Sequence, residues 1–81
     1  MMRHYFFHLH NGHGFTPDPT GRYFRNLEEA HNEALRDIRS IVSDEAREGL
    51  LDLRGRIDIA VDETVARTVR FPEAFDLKLK A

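Results

Sequence analysis

Four of the five histidines crowd into the first stretch of the chain, at His4, His8, His10 and His13. His8 and His10 are two residues apart, so on an extended strand both imidazoles project from the same face, and His13 beyond a turn offers a third nitrogen. Imidazoles gathered in this way suit zinc or nickel, with Asp18 the nearest carboxylate in sequence to complete the set. The spacing fixes no fourth ligand, and histidines on a half-exposed strand face or in pH-sensitive contacts produce the same pattern. The group is read as surface, and no metal, cofactor or catalytic residue is assigned.

His31 is the fifth histidine, and it falls inside the apolar stripe of a helix pattern. That position describes a core-edge imidazole bonded to the sheet or a loop. A general base needs a nucleophile beside it, yet the chain has no cysteine and no Ser, Thr or carboxylate placed by spacing to serve. Gly12-His13-Gly14 is too short to cradle a phosphate. The expectation is a protein that is not an enzyme. Arg54, Arg56, Arg67 and Arg70 raise nucleic-acid binding as an alternative, with Phe6 as a stacking ring. Asp52, Asp58, Asp62 and Glu63 interleave with those arginines, so surface pairing accounts for them more simply.

The 81 residues supply one domain, residues 1–81, and an apolar fraction of 41% against 32% charged is that of a globular chain. The formal net charge of -2 gives no general attraction to polyanions. Residues 27–48 carry seven acids against three bases, so the flanks are neutral to slightly basic. The absence of cysteine suits a reducing compartment. The apolar start is broken by His8, His10 and Asn11 before it reaches the length of an export signal, and no run approaches the ~20 apolar residues of a membrane span. A cytoplasmic location and no membrane partner are expected.

The elements that must position these residues follow from periodicity. Tyr5, Phe7 and Leu9 alternate with His4, Phe6, His8 and His10, which predicts a strand with the first set toward the core. Asn11-Gly12 signals a turn into a second short strand through Phe15 and Thr16. Pro17-Asp18-Pro19-Thr20-Gly21 interrupts the ladder before Arg22-Tyr23-Phe24 resumes as an edge segment. Asn26 caps a helix reaching about Glu48, with Glu29 as its capping-box partner and Gly49 as its C-terminal stop. Leu27, Ala30, Ala34, Leu35, Ile38, Ile41 and Val42 form the buried stripe, and Ser43-Asp44-Glu45 marks a bend or restart. Leu50, Leu51 and Leu53 are expected to close the base of the core. A hairpin follows, in which Ile57, Ile59 and Val61 alternate with Asp58 and Ala60, and Val65, Arg67, Val69 and Phe71 alternate with Ala66, Thr68 and Arg70; Leu77 and Leu79 clip the tail. The order is ββαββ: an α+β domain with two layers, an antiparallel sheet and one helix across one face.

Tyr5-Phe6-Phe7-His8-Leu9, the Asp18-Pro19-Thr20-Gly21 turn, Leu27-Glu28-Glu29-Ala30 with Ala34, and Ile57-Asp58-Ile59-Ala60-Val61-Asp62-Glu63 with the Val69-Arg70-Phe71 return resemble a bacterial family, domain of unknown function 6894. The resemblance spans nearly the whole chain. It implies this fold and a bacterial cytosolic setting, and it supplies no activity, cofactor or catalytic residue. One departure stands out: members commonly carry a longer Asp-Glu-x-Gly turn in the second hairpin, whereas here Thr64 leads directly to Val65.

One helix covers one side of the sheet, which leaves Phe6 among His4, His8 and His10 on the other. The expected role is a noncatalytic accessory or protein-interaction domain. Its expected partner is a second copy forming a homodimer, or another protein, through the open face or the Arg22-Tyr23-Phe24 edge. Twofold pairing brings histidines together, so such a dimer should weaken below about pH 6.

Overall fold

The computed structural model describes residues 1–78 and has the two predicted layers. Strand β1 spans Arg3–Asn11, β2 Gly14–Thr16 and β3 Arg22–Phe24; helix α1 spans Leu27–Arg47; β4 spans Arg56–Val61 and β5 Thr64–Arg70. A 3-10 turn, Phe71–Ala74, follows. The antiparallel sheet has the order β2-β1-β4-β5, with β3 paired to the opposite end of the same β1 edge that holds β2. Thr16 pairs with Leu9 and Arg22 with Tyr5, so the proline-containing loop bridges a gap in the ladder from Phe6 to His8.

Alternation on β1 works as the sequence predicts. Tyr5 and Phe7 are buried and Leu9 packs against them, together with Ile57 and Ile59 of β4, Val69 of β5 and Phe71. From the helix side Ala30, Ala34, Ile38 and Val42 close over this layer. Two alanines in that row let the helix approach the aromatic strand closely, and the larger Ile38 fills the centre. Phe24 stacks on Phe7 at 5.8 Å between ring centroids, and the Arg22 guanidinium lies 4.6 Å over the same ring. Arg22 then bonds Asp37 of α1, so β3 is stitched to the helix although it has only three residues.

The helix ends obey local chemistry. The Asn26 side chain accepts from the Glu29 N–H at 2.9 Å, while the Glu29 carboxylate accepts from Arg25 N–H rather than from the cap residue itself, so the expected reciprocal box is displaced by one residue. At the other end Gly49 N–H bonds to Ala46 and Leu50 N–H to Glu45, a paired closure that needs the positive φ of 88° at Gly49. The bend expected at Ser43-Asp44-Glu45 is absent, because α1 runs unbroken to Arg47 and Glu45 turns aside to His13.

Three expectations are corrected beyond the helix. Leu50 and Leu51 do not close the core; they are 47% and 68% exposed, and of that group only Leu53 packs inward. Leu77 is exposed as well, and Leu79 lies outside the described residues. The second hairpin does not keep one alternation throughout. Ala60 pairs with Val65 but Ile59 pairs with Arg67, so Ala66 is an extra residue that the partner strand does not match. That bulge turns Val65 to the open face while Arg67, Val69 and Phe71 keep the core side.

The hairpin turn contains Asp62 and Glu63 alone, with φ values of 51° and 63°. Both residues thus occupy the left-handed region that a two-residue hairpin turn demands and that glycine or asparagine usually fills. Glu63→Gly should raise stability by about 0.5 kcal/mol, since relief of roughly 1–2 kcal/mol of backbone strain is partly offset by the extra freedom of glycine in the unfolded chain. The urea midpoint measures it, and a lower midpoint would contradict the strain.

Candidate functional site

The side of the sheet away from α1 carries the residues that alternation sets opposite the core. His4 pairs with Tyr23, Phe6 with Ala60, Ala60 with Val65, His8 with Asp58 and Asp58 with Thr68; His10 pairs with both Phe15 and Arg56, and Arg56 with Arg70. Along this face the rings touch in a single file. Tyr23 stacks on His4 at 4.4 Å, His4 meets Phe6 at 4.4 Å, Phe6 stacks near His8 at 6.3 Å, and Phe15 joins His8 at 6.0 Å to His10 at 4.6 Å. Tyr23 and Phe15 are 61% and 56% exposed, and Phe6 between them is half-buried. A shallow hollow of about 260 Å³ opens beside the ribbon among Phe6, His8, Asp18, Ala60 and Glu63.

The histidines are already engaged, each with a different partner. His4 Nε2 donates to the Thr20 carbonyl at 2.6 Å, and the Asp18 N–H donates to His8 Nδ1 at 3.0 Å, which leaves the His8 proton on Nε2. His10 Nε2 lies 3.3 Å from Asp58. His13 sits apart, 3.4 Å from Glu45 at the end of the helix. Among the described residues no three histidine or carboxylate side chains converge as a metal site requires. Asp18, the nearest carboxylate in sequence, turns its carboxylate to backbone: Phe7 N–H donates at 3.0 Å, Gly21 N–H at 3.0 Å and Thr20 N–H at 3.2 Å. Burial opposes its ionisation, yet those three donors and Arg22 outweigh burial and hold the carboxyl below its ordinary range.

The family model of DUF6894, a domain of unknown function, matches residues 4–72. The chain belongs to this family. No curated protein and no solved structure matches it. The match takes in β1 from its second residue and all of the later strands and the helix of the DUF6894 domain, so the ring ribbon, the Asp18 loop and the second hairpin all lie inside it.

Asp58 is the residue of this DUF6894 face that sequence reasoning undervalued. Its side chain is only 14% exposed and gathers the Thr68 hydroxyl at 2.9 Å, Arg56 Nε at 3.3 Å and His10. Thr68 gives its hydrogen to the Asp58 carboxylate rather than to His10, so this trio lacks the nucleophile-to-imidazole contact of general-base chemistry. The alternating Arg-x-Asp of Arg56 and Asp58 was the available signal, because residues two apart share a strand face. The remaining arginines divide as follows. Arg54 clasps Asp52, whose carboxyl the Arg54 side chain and then its N–H hold down to about 2. Arg67 turns to the helix, bonding Glu28 at 2.9 Å and donating to His31 Nδ1 at 3.2 Å, which places His31 at the core edge as expected. Of these four arginines, Arg56 and Arg70 pair on the open face of the DUF6894 domain.

Proposed function

We propose that this domain is a noncatalytic protein-interaction module of the bacterial cytoplasm and that its binding surface is the open face of the sheet. The ribbon of Tyr23, His4, Phe6, His8, Phe15 and His10 supports this reading most directly. Rings kept in water on one continuous face are a standing gain for whatever covers them. The composition agrees with that use. Interface centres favour aromatic residues and arginine, and this face pairs its rings with Arg56 and Arg70.

Single-stranded nucleic acid is the second reading, because Tyr23 and Phe15 offer flat surfaces on which bases stack. It has weaker electrostatic support. Arg56 already shares Asp58, and the chain as a whole carries a charge of -2.

Photo-crosslinking tests the surface without naming a partner. With a benzophenone amino acid in place of Tyr23 in cells that make the protein, covalent adducts should form on illumination. The same group in place of Arg36, whose side chain is 74% exposed on the helix, should yield few or none. Equal adducts at both positions, or adducts at position 36 alone, would reject the open face.

A further inference from the structure

We infer that the occupant of the open face is a second copy of this chain, packed face to face about a twofold axis that runs across the strands. The inference rests on the open face being the interaction surface, and it adds the partner and the geometry.

The two ends of the β4-β5 hairpin carry opposite charge. Arg56 and Arg70 pair at one end, level with His10 and Phe15, while Asp62 and Glu63 form the turn at the other, level with His4 and Tyr23. Asp62 is bonded to Arg3, but among the described residues neither the Glu63 carboxylate nor the Arg70 guanidinium has an ion-pair partner. The face thus has an unmatched positive end and an unmatched negative end, separated by roughly 20 Å of strand. A twofold axis lying between two such faces and perpendicular to the strands keeps β5 over β5 and exchanges the ends. Arg70 of each copy then meets Glu63 of the other. The same operation lays Tyr23 over Phe15, His4 over His10 and Phe6 over His8, so the ring ribbons lie along one another at the ~10 Å spacing of packed sheets.

The competing axis, parallel to the strands, is worse on the same residues. It puts β4 of one copy over β1 of the other at an unchanged end, so Arg56 faces His10 and Arg70 faces Phe15, and no acid meets either arginine. The other broad side of the molecule is unsuited to self-association, because residues 27–48 of the helix layer carry seven acids against three bases and would repel their own kind. Size is no obstacle. A standard interface takes about 800 Å² per partner, roughly one seventh of the 5859 Å² that this chain exposes.

Light scattering after size exclusion, with sedimentation to obtain the dissociation constant, tests the inference on the full chain at neutral pH. At about 100 μM the wild type should have a mass near twice 9.5 kDa. Arg70→Glu, Glu63→Arg and Tyr23→Ser should each weaken the dimer by about tenfold or more, and the double variant Arg70→Glu/Glu63→Arg should recover most of the loss of either single charge reversal. All three positions are exposed, and circular dichroism checks that each variant is folded. A wild-type mass near 9.5 kDa would overturn the second copy. A dimer that ignores Tyr23→Ser but answers to the charge exchange would move the contact to the free edge of β5, and this too overturns the face-to-face geometry. If the monomer shifts a labelled single-stranded oligonucleotide, or crosslinks another protein from position 23, the second copy falls while the open face stands as the surface.

Discussion

Replacing Gly55 with alanine should lower the stability of this domain by about 3 kcal/mol and its melting temperature by roughly 12–24 °C. A methyl group on Gly55 would lie 2.6 Å from two carbons of the Phe71 ring and 2.9 Å from the His10 carbonyl oxygen. Neither neighbour has room to retreat. Phe71 is 1% exposed, and its N–H donates to the Gly55 carbonyl at 3.0 Å, so ring and backbone are held against each other from both sides. For a chain of 81 residues, whose whole stability is on the order of 4–12 kcal/mol, the loss is a large share. A companion variant separates a steric clash from a change in chain flexibility. Phe71→Leu alone should destabilise, but in combination with Gly55→Ala the two effects should add to less than their sum, because the shorter side chain vacates the space that the methyl takes. Denaturant unfolding of the four proteins measures this coupling, and strict additivity would contradict the clash.

Gly55 also shows where sequence reading stops. Its neighbours in the chain, Arg54 and Arg56, mark it only as a turn residue, since the ring that excludes a side chain arrives from sixteen positions later. Features set by near neighbours were legible. The inward set Tyr5, Phe7 and Leu9, the stripe from Ala30 to Val42, the Asn26 cap and the glycine stop at Gly49 each depend on residues within about two helical turns. The antiparallel sheet with one helix across it followed from them. Val65 was misplaced because a strict period of two has no means of announcing the unmatched Ala66. Leu50 and Leu51 were misplaced because apolar type alone does not say whether a connection between layers passes over the core or beside it.

The candidate surface divides the same way. That Phe6 and the alternate histidines face away from the helix was readable from β1 by itself, whereas the file of rings depends on Phe15 and Tyr23 being brought to opposite ends of that strand by two separate pairings. Asp58 and Asp18 were both read by type rather than by place. One proved to be a gathering point under the open face, and the other a plug in the sheet edge.

Asp18 carries the second large effect. Between β2 and β3 the edge of β1 has no strand beside it, and the Asp18 carboxylate takes the place of one by accepting from Phe7 N–H while turning its own loop with Thr20 and Gly21. Its own N–H closes the circuit on His8, and Arg22 of β3 adds a favourable charge. Asp18→Asn preserves size but presents an amide group to at least one donor that needs an acceptor, so a loss of about 2–3 kcal/mol is expected at neutral pH. The pH dependence follows in sign from the lowered carboxyl pKa in the fold. The unfolded chain takes up the proton near its ordinary value of about 3.9, and the folded chain only at lower pH, so the contribution of Asp18 is full above that value and is lost as pH falls through the folded one. Unfolding curves of wild type and Asp18→Asn should therefore lie far apart at neutral pH and approach each other only at acidity beyond the ordinary carboxyl range, once the folded wild-type side chain is protonated too. Thr20→Ala is the control, since it keeps the carboxylate and the Thr20 N–H and should keep the wild-type acid profile. A gap between wild type and Asp18→Asn that stays constant to low pH would show that the asparagine disturbs packing alone, and that the ionised carboxylate is not what holds the edge of the sheet shut.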